Sequence, residues 1–354
     1  MKVLILLRDR STNGITTYNR ILAAELARQG HQVEVWPDRN GLIGLIGLIT
    51  LPWLHPALEP LARWRLRRWR PDVIIANHYT QARLAQRLRQ TTGTPWVACM
   101  HNGHSPRRMA QWAALFGSAS GVVTMCETLR DEYTRLVGDS SPPVFLSRLP
   151  MALPPPQPRT HEQPLTLAYC ARLSSQKGPR CETWLKAIAS LPEPARYRVL
   201  VIGGGSYLGR LRSTAAALGL NVEFTGMVKD PAPWLARTDV ITGAGYALME
   251  GLLQGCAAVG LGFGGCIGAI TNAGLAEAMA VNFGDHCDRP YPDDIATVAR
   301  ALQTAMDTLG TAESAALRQR MVQTFSASPV VAGLAGFLAQ VSIAAQAGER
   351  AVLG

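Results

Sequence analysis

The feature that most limits how this chain can fold is a repeated alternation of short β-branched runs with helical stretches. VLILL (3–7), HQVEVW (31–36), DVIIANH (72–78), PWVACMHN (95–102) and GVVTMC (121–126) read as strands. Between them lie TTYNRILAAELARQG (16–30), closed by a C-cap glycine, a helix over about 80–90, and one through Glu127–Leu136. Such alternation predicts a parallel sheet with helices on both faces. MKVLILLRDRSTNG is read as the first strand, because its apolar part is too short and too soon basic for a signal peptide.

The rhythm breaks at the proline-rich run LPMALPPPQPRTHEQP (149–164), which suits neither a central strand nor a helix. It then restarts with LTLAYCARL (165–173), a helix near 180–191, YRVLVIGGG (197–205), a helix to Leu218, and NVEFTG (221–226). Two Rossmann-like domains are therefore predicted, over 1–150 and 165–322, with 151–164 as linker. The Ala-rich, periodic stretch 312–346 is expected to be helical, with 323–354 a C-terminal helix packing back on the first domain. At 354 residues and 47% hydrophobic, the chain can bury two cores.

Charge divides unevenly. Residues 1–150 carry 19 Lys and Arg against 10 Asp and Glu, whereas 151–354 carry 16 against 15. A basic half beside a balanced one points to an anionic partner for the first half. Seven scattered cysteines without a C-x-x-C pair support neither a disulfide framework nor a zinc site, and fit a reduced, cytoplasmic compartment.

Residues 41–70 open with a nearly continuous apolar run too short to span a bilayer. Arg63, Arg65, Arg67, Arg68 and Arg70 follow, interleaved with Trp64 and Trp69. Apolar bulk, tryptophan and basic residues together suit peripheral contact with an anionic membrane. The same pattern also suits a buried hairpin followed by a solvated basic helix.

Several short motifs carry chemistry. VLVIGGGSYLG (199–209) looks like a dinucleotide-binding turn, with Glu223 twenty residues beyond Gly203. Leu208 replaces the third glycine of that fingerprint, however, and Glu223 stands inside its strand. ARLSSQKGP (171–179) places Arg172 and Lys177 on a short loop between strand and helix, where two cations suit a diphosphate or are simply two unrelated charges on a surface loop. Gly14, before the first helix, either gives phosphate access to backbone N–H groups or simply completes an ordinary β–α turn with Asn-Gly chemistry, the reading the residues alone favour. His101 and His104 follow a strand in CMHNGHSPRR (99–108), with Arg107 and Arg108 nearby. Glu250 is one of only two charged residues between Asp239 and Asp285. A carboxylate in so apolar a stretch requires either a protein partner or a ligand.

Taken in order, these pieces resemble the retaining glycosyltransferases of family 4, which have the GT-B fold. NGITTYNRILAAELARQGHQVEVW is similar to the family's opening turn, helix and strand, with Asn13 in place of its first glycine. RPDVIIANH and GVVTMCETLRDEY are similar to first-domain strands, and ARLSSQKGP to the R-L-x-x-x-K-G element. VIGGGSYLGRLRSTAAALGLNVEFTGMV and TGAGYALMEGLLQG resemble later second-domain elements.

The resemblance implies an α/β, GT-B protein with two Rossmann-like domains whose parallel sheets face across a cleft. It implies transfer of a sugar, with retention, from a UDP- or GDP-type donor to a cell-envelope or lipid-linked glycan. His101, Arg172 and Lys177 would be catalytic. Gly14, Arg172, Lys177, Val228, Gly245 and Glu250 would bind the donor. Thr242 and His101 would lie on its sugar side. No metal, other cofactor or nucleic acid is expected, and the protein would work in the cytoplasm or on the inner membrane face. One departure matters: the first glutamate of the family's E-x7-E motif is Thr242 here. A non-catalytic GT-B binding protein and a GT-B sugar-nucleotide epimerase are the alternatives.

Overall fold

The structure, a computed structural model, describes residues 1–7, 14–37, 55–138, 141–153 and 163–353, without the side chains of 55–57 and 348–353. The chain forms two compact units, Met1–Ala152 with Phe325–Gly354, and Leu153–Thr324. Residues 154–162 of the expected linker lie outside the described residues.

The first unit runs β1 (Lys2–Leu6), α1 (Gly14–Arg28), β2 (Gln32–Trp36), α2 (His55–Trp69), β3 (Val73–Ala76) and α3 (Tyr79–Thr92). It continues with β4 (Trp96–Met100), α4 (Pro106–Phe116), β5 (Gly121–Thr124), α5 (Glu127–Val137) and β6 (Val144–Leu146). Its sheet has the order β2-β1-β3-β4-β5-β6, and every pairing is parallel. Strands β3, β4 and β5 are buried throughout. That is why they read as continuous apolar runs rather than as alternating ones. Trp36, Trp96, Phe116 and Tyr133 fill the core around them.

The second unit runs β7 (Thr166–Cys170), α6 (Gly178–Ala189), β8 (Arg198–Ile202), α7 (Leu208–Ala217), β9 (Val222–Gly226) and α8 (Ala232–Leu235). Then come β10 (Val240–Gly243), α9 (Tyr246–Leu253), β11 (Ala257–Gly262), β12 (Gly265–Ala269), α10 (Leu275–Ala280), α11 (Ile295–Asp307) and α12 (Ala312–Phe325). The sheet order is β12-β11-β10-β7-β8-β9. All pairs are parallel except β11–β12, a departure from the expected all-parallel sheet. Only Phe263 and Gly264 join those two strands, and a link so short allows a hairpin but not a crossover.

The Ala-rich C-terminal stretch is helical as expected, in two helices. Between α12 and α13 (Ala327–Leu353), Ser326 bridges Met151. α13 is long and apolar enough over Ala327–Ala347 to cross a membrane by length and composition. Here it is a packing helix: Val331, Leu334, Leu338 and Val341 are buried. Phe337 stacks on Phe145 at 5.2 Å. A Cβ on Gly121 would stand 2.7 Å from the Phe337 ring, so glycine at the start of β5 is what admits it. Each buried aliphatic side chain contributes roughly 1.5–3 kcal/mol.

Both sheets reverse their strand order at one point, between β1 and β3 in the first unit and between β7 and β10 in the second. The carboxyl ends of the strands at such a reversal are where open α/β sheets bind ligands. Gly14 follows β1, Arg172 follows β7, and Gly245 and Glu250 follow β10.

Candidate functional site

In the second unit, β7 and β10 are in register with Cys170 opposite Gly243, so the loops that follow them leave the sheet level with one another. The loop after β7 carries exposed Arg172 and half-buried Lys177. It is braced by the glycine turn that ends β8. Leu173 N–H donates to the Gly204 carbonyl at 3.0 Å, and Tyr207 N–H to the Leu173 carbonyl at 3.0 Å. A Cβ at Gly203 would lie 2.0 Å from the Ala171 oxygen, and one at Gly205 2.2 Å from the Leu173 oxygen. The glycines of VIGGG thus serve backbone packing against the cationic loop, a role that explains their resemblance to a dinucleotide-binding turn.

Tyr207 continues this brace. Its ring occupies the space a Gly178 side chain would need, 2.2 Å from the would-be Cβ, and its hydroxyl donates to Glu182 at 2.7 Å. Glu182 also accepts from Lys186 and from Arg210, each at 2.9 Å. These partners, Lys186 foremost, hold its carboxyl down to about 2.

The loop after β10 turns at Gly245, whose φ of 57° and ψ of −139° only glycine adopts without strain. Helix α9 begins at the next residue and carries Glu250 on its second turn. Burial pushes the Cys170 thiol up to about 12; the Glu250 carboxylate adds to that rise and the Lys177 ammonium opposes it. Glu250 and Lys177 thus both act on the end of β7. Val228 follows β9 and is half-buried, and the backbone of its neighbour Met227 packs on Gly204, 2.9 Å from that glycine's would-be Cβ. Thr242 lies inside β10 between Tyr169 and Val259, has no exposure, and its Oγ1 has no hydrogen-bond partner among the described residues.

In the first unit, His101 follows β4 and is buried. Its Nε2 lies 2.7 Å from Asn77 Oδ1, at the end of the neighbouring strand β3. Tyr18, one turn into α1 from Gly14, meets the His101 ring edge-on at 4.9 Å. Gly14 itself is exposed at the helix start, while Asn13 lies outside the described residues. Arg107 and Arg108 are exposed on the first turn of α4, and His104 packs against Trp112 at 4.4 Å.

Two residues escaped the sequence reading. Asn77 stands at a strand end, as His101 does, so the same positional rule could have found it. Asp285 accepts from Lys177 Nζ at 2.9 and 3.1 Å, and its separation of 108 residues left no local signal. Among the described residues, no cluster of three or more His, Cys, Asp or Glu is placed to hold a metal ion.

The arrangement defines a class: an α/β protein of two Rossmann-like units, each carrying candidate site residues at the carboxyl ends of its parallel strands. Comparison with known proteins places that class. Residues 13–148 match the glycosyl transferase 4-like domain. Glycogen synthase of Mycobacterium tuberculosis is 26% identical over 321 residues, covering 80% of this chain and 71% of that protein. The structure of Anabaena HepE in complex with UDP and glucose matches with a TM-score of 0.70 at 17% identity, over 96% of this chain and 100% of that one. Sucrose-phosphate synthase from Thermosynechococcus elongatus matches with a TM-score of 0.73 at 16% identity, over 97% and 99% of the two chains. The chain has the GT-B fold.

Proposed function

We propose that this protein is a glycosyltransferase that moves a sugar from a nucleoside-diphosphate donor to an acceptor. The observation that carries the proposal lies within the second unit, at the reversal of its sheet. A braced loop bearing Arg172 and Lys177, the Gly245 turn and Glu250 all gather at the ends of β7 and β10. Breaking a glycosyl–phosphate bond builds negative charge on the departing diphosphate. Fixed cations aimed at the diphosphate stabilise that charge without reorganising, and the N–H groups at the start of α9 are left to the donor's sugar. Glu250 accepts from the ribose hydroxyls, and backbone near Val228 holds the base. HepE, of the same fold, binds UDP and UDP-glucose.

His101, with Gly14 on the same side of its unit, attends the transferred sugar, and transfer proceeds with retention. The acceptor is a glycan or lipid-linked intermediate of the cell envelope, met by the basic first unit at the cytoplasmic face of the membrane. Helix α2 supports that placement. Trp64 is 48% exposed, and Arg68 lies 6.0 Å from its ring. On the buried side Ala62 and Leu66 enter the core, while Arg63 pairs with Glu59 and Arg65 with Glu34. The apolar run preceding it, through residue 54, lies outside the described residues. Mass spectrometry of nucleotide retained by the purified protein tests the donor assignment: a bound nucleoside diphosphate or its sugar is expected.

A further inference from the structure

The second unit builds a carboxylate into the candidate donor site from a part of the chain that no motif marks. Asp285 follows the short turn Asn282–Gly284, where three consecutive residues have positive φ: Asn282 at 48°, Phe283 at 57° and Gly284 at 99°. Left-handed backbone at two successive non-glycine residues, one of them phenylalanine, is costly and persists only where the surroundings impose it. Those surroundings are specific. Phe283 is anchored in the core with 1% exposure. Glycines on the β11–β12 hairpin let the segment lie directly on it. A Cβ at Gly262 would stand 2.4 Å from the Gly284 oxygen, and one at Gly264 2.1 Å from Cys287 Sγ.

The result is a carboxylate held at the Gly245 turn. Asp285 Oδ2 is 3.3 Å, and Asn282 Nδ2 3.7 Å, from the point a Gly245 Cβ would occupy. Lys177 Nζ donates to both Asp285 oxygens and lies 4.5 Å from the centre of the Phe263 ring. Both charged side chains keep some exposure, 18% for Lys177 and 15% for Asp285, so a ligand can reach them.

We propose that Asp285 recognises the sugar of the donor: its carboxylate accepts hydrogen bonds from sugar hydroxyls, beside the Asn282 amide. It thereby supplies a carboxylate that the closed position of Thr242 cannot, and it restricts the donor to a neutral hydroxylated sugar. The inference rests on the nucleotide-sugar reading above. A carboxylate has about four acceptor positions. Lys177 takes two, and the rest remain for hydroxyls. A phosphate facing the same carboxylate would meet repulsion, so Asp285 belongs on the sugar side of Lys177 and not on the diphosphate side. The third donor of the Lys177 ammonium then reaches the diphosphate, tying leaving group and sugar to one cation. A sugar bearing its own carboxylate is excluded by like charge.

The test compares Asp285→Asn with the wild type in binding to UDP, UDP-glucose and UDP-glucuronate, and to GDP and GDP-mannose. The variant keeps shape and removes charge, and its nucleotide binding reports that it is folded. The preference for UDP-glucose or GDP-mannose over the bare nucleotide is expected to fall at least tenfold. Discrimination against UDP-glucuronate is expected to fall as well. If the wild type binds these ligands and both preferences are unchanged in the variant, Asp285 is a structural ion pair and the inference is overturned. If the wild type binds no nucleotide at all, the donor reading itself is what fails, and this inference falls with it.

Discussion

His101 Nε2 lies 2.7 Å from Asn77 Oδ1, and Asn77 Nδ2 in turn donates to the Leu6 carbonyl at 3.3 Å. The backbone bond fixes which way the Asn77 amide faces, and the amide oxygen then requires a proton on Nε2. Asn77 is thus a positioning residue for His101.

Asn77→Asp places a carboxylate against the imidazole and favours its charged form. The NMR titration of His101 should move upward by about 1 pH unit or more relative to the wild type. An unchanged titration would show that the two side chains do not face one another in solution.

Thr242 offers a second check, because its Oγ1 is enclosed without a partner among the described residues. Thr242→Val removes that hydroxyl at nearly constant shape and should raise stability by about 1 kcal/mol. Thr242→Glu, which restores the residue of the family motif, forces a carboxylate into a closed strand. It should cost about 3 kcal/mol or more. Urea denaturation measures both, and a well-tolerated glutamate would mean that the strand opens toward the ligand.

Five strands of the first sheet were legible in the sequence because they are apolar, largely β-branched runs between helical stretches; the three-residue edge strand β6 was not. The end of the second sheet was not. AAVGLG and GCIGA in β11 and β12 are rich in alanine and glycine, which carry little strand signal. Their glycines serve instead to admit the Asn282–Asp285 turn. That turn was equally silent, since no residue-type rule foresees Phe283 in a left-handed conformation imposed from outside. Arg172, Lys177 and Glu250 could be singled out because each stands within a short motif. Asp285 reaches Lys177 only through the tertiary fold.

Glu182 ties three donors together beneath the cationic loop, and its carboxyl is held down to about 2 from 4.5. A depressed carboxyl contributes its full stability above its unfolded value and loses it as pH falls through the folded one. The contribution is therefore present above about pH 4.5 and lost on the way to pH 2. Glu182→Gln should lower stability at neutral pH by about 1–2 kcal/mol. Its unfolding curves should also show less acid dependence across that window. Equal slopes for the two proteins would argue against a charged network there.

The central claim is that Arg172 and Lys177 stabilise a departing diphosphate. It is tested most directly by incubating the purified protein with a panel of UDP- and GDP-sugars and measuring nucleoside diphosphate released. The wild type should bind at least one donor and hydrolyse it slowly without acceptor. Arg172→Ala and Lys177→Ala should each lower that rate at least tenfold, a loss of about 1.4 kcal/mol or more in transition-state stabilisation. Release by no donor, or release that both substitutions leave unchanged, would contradict the account.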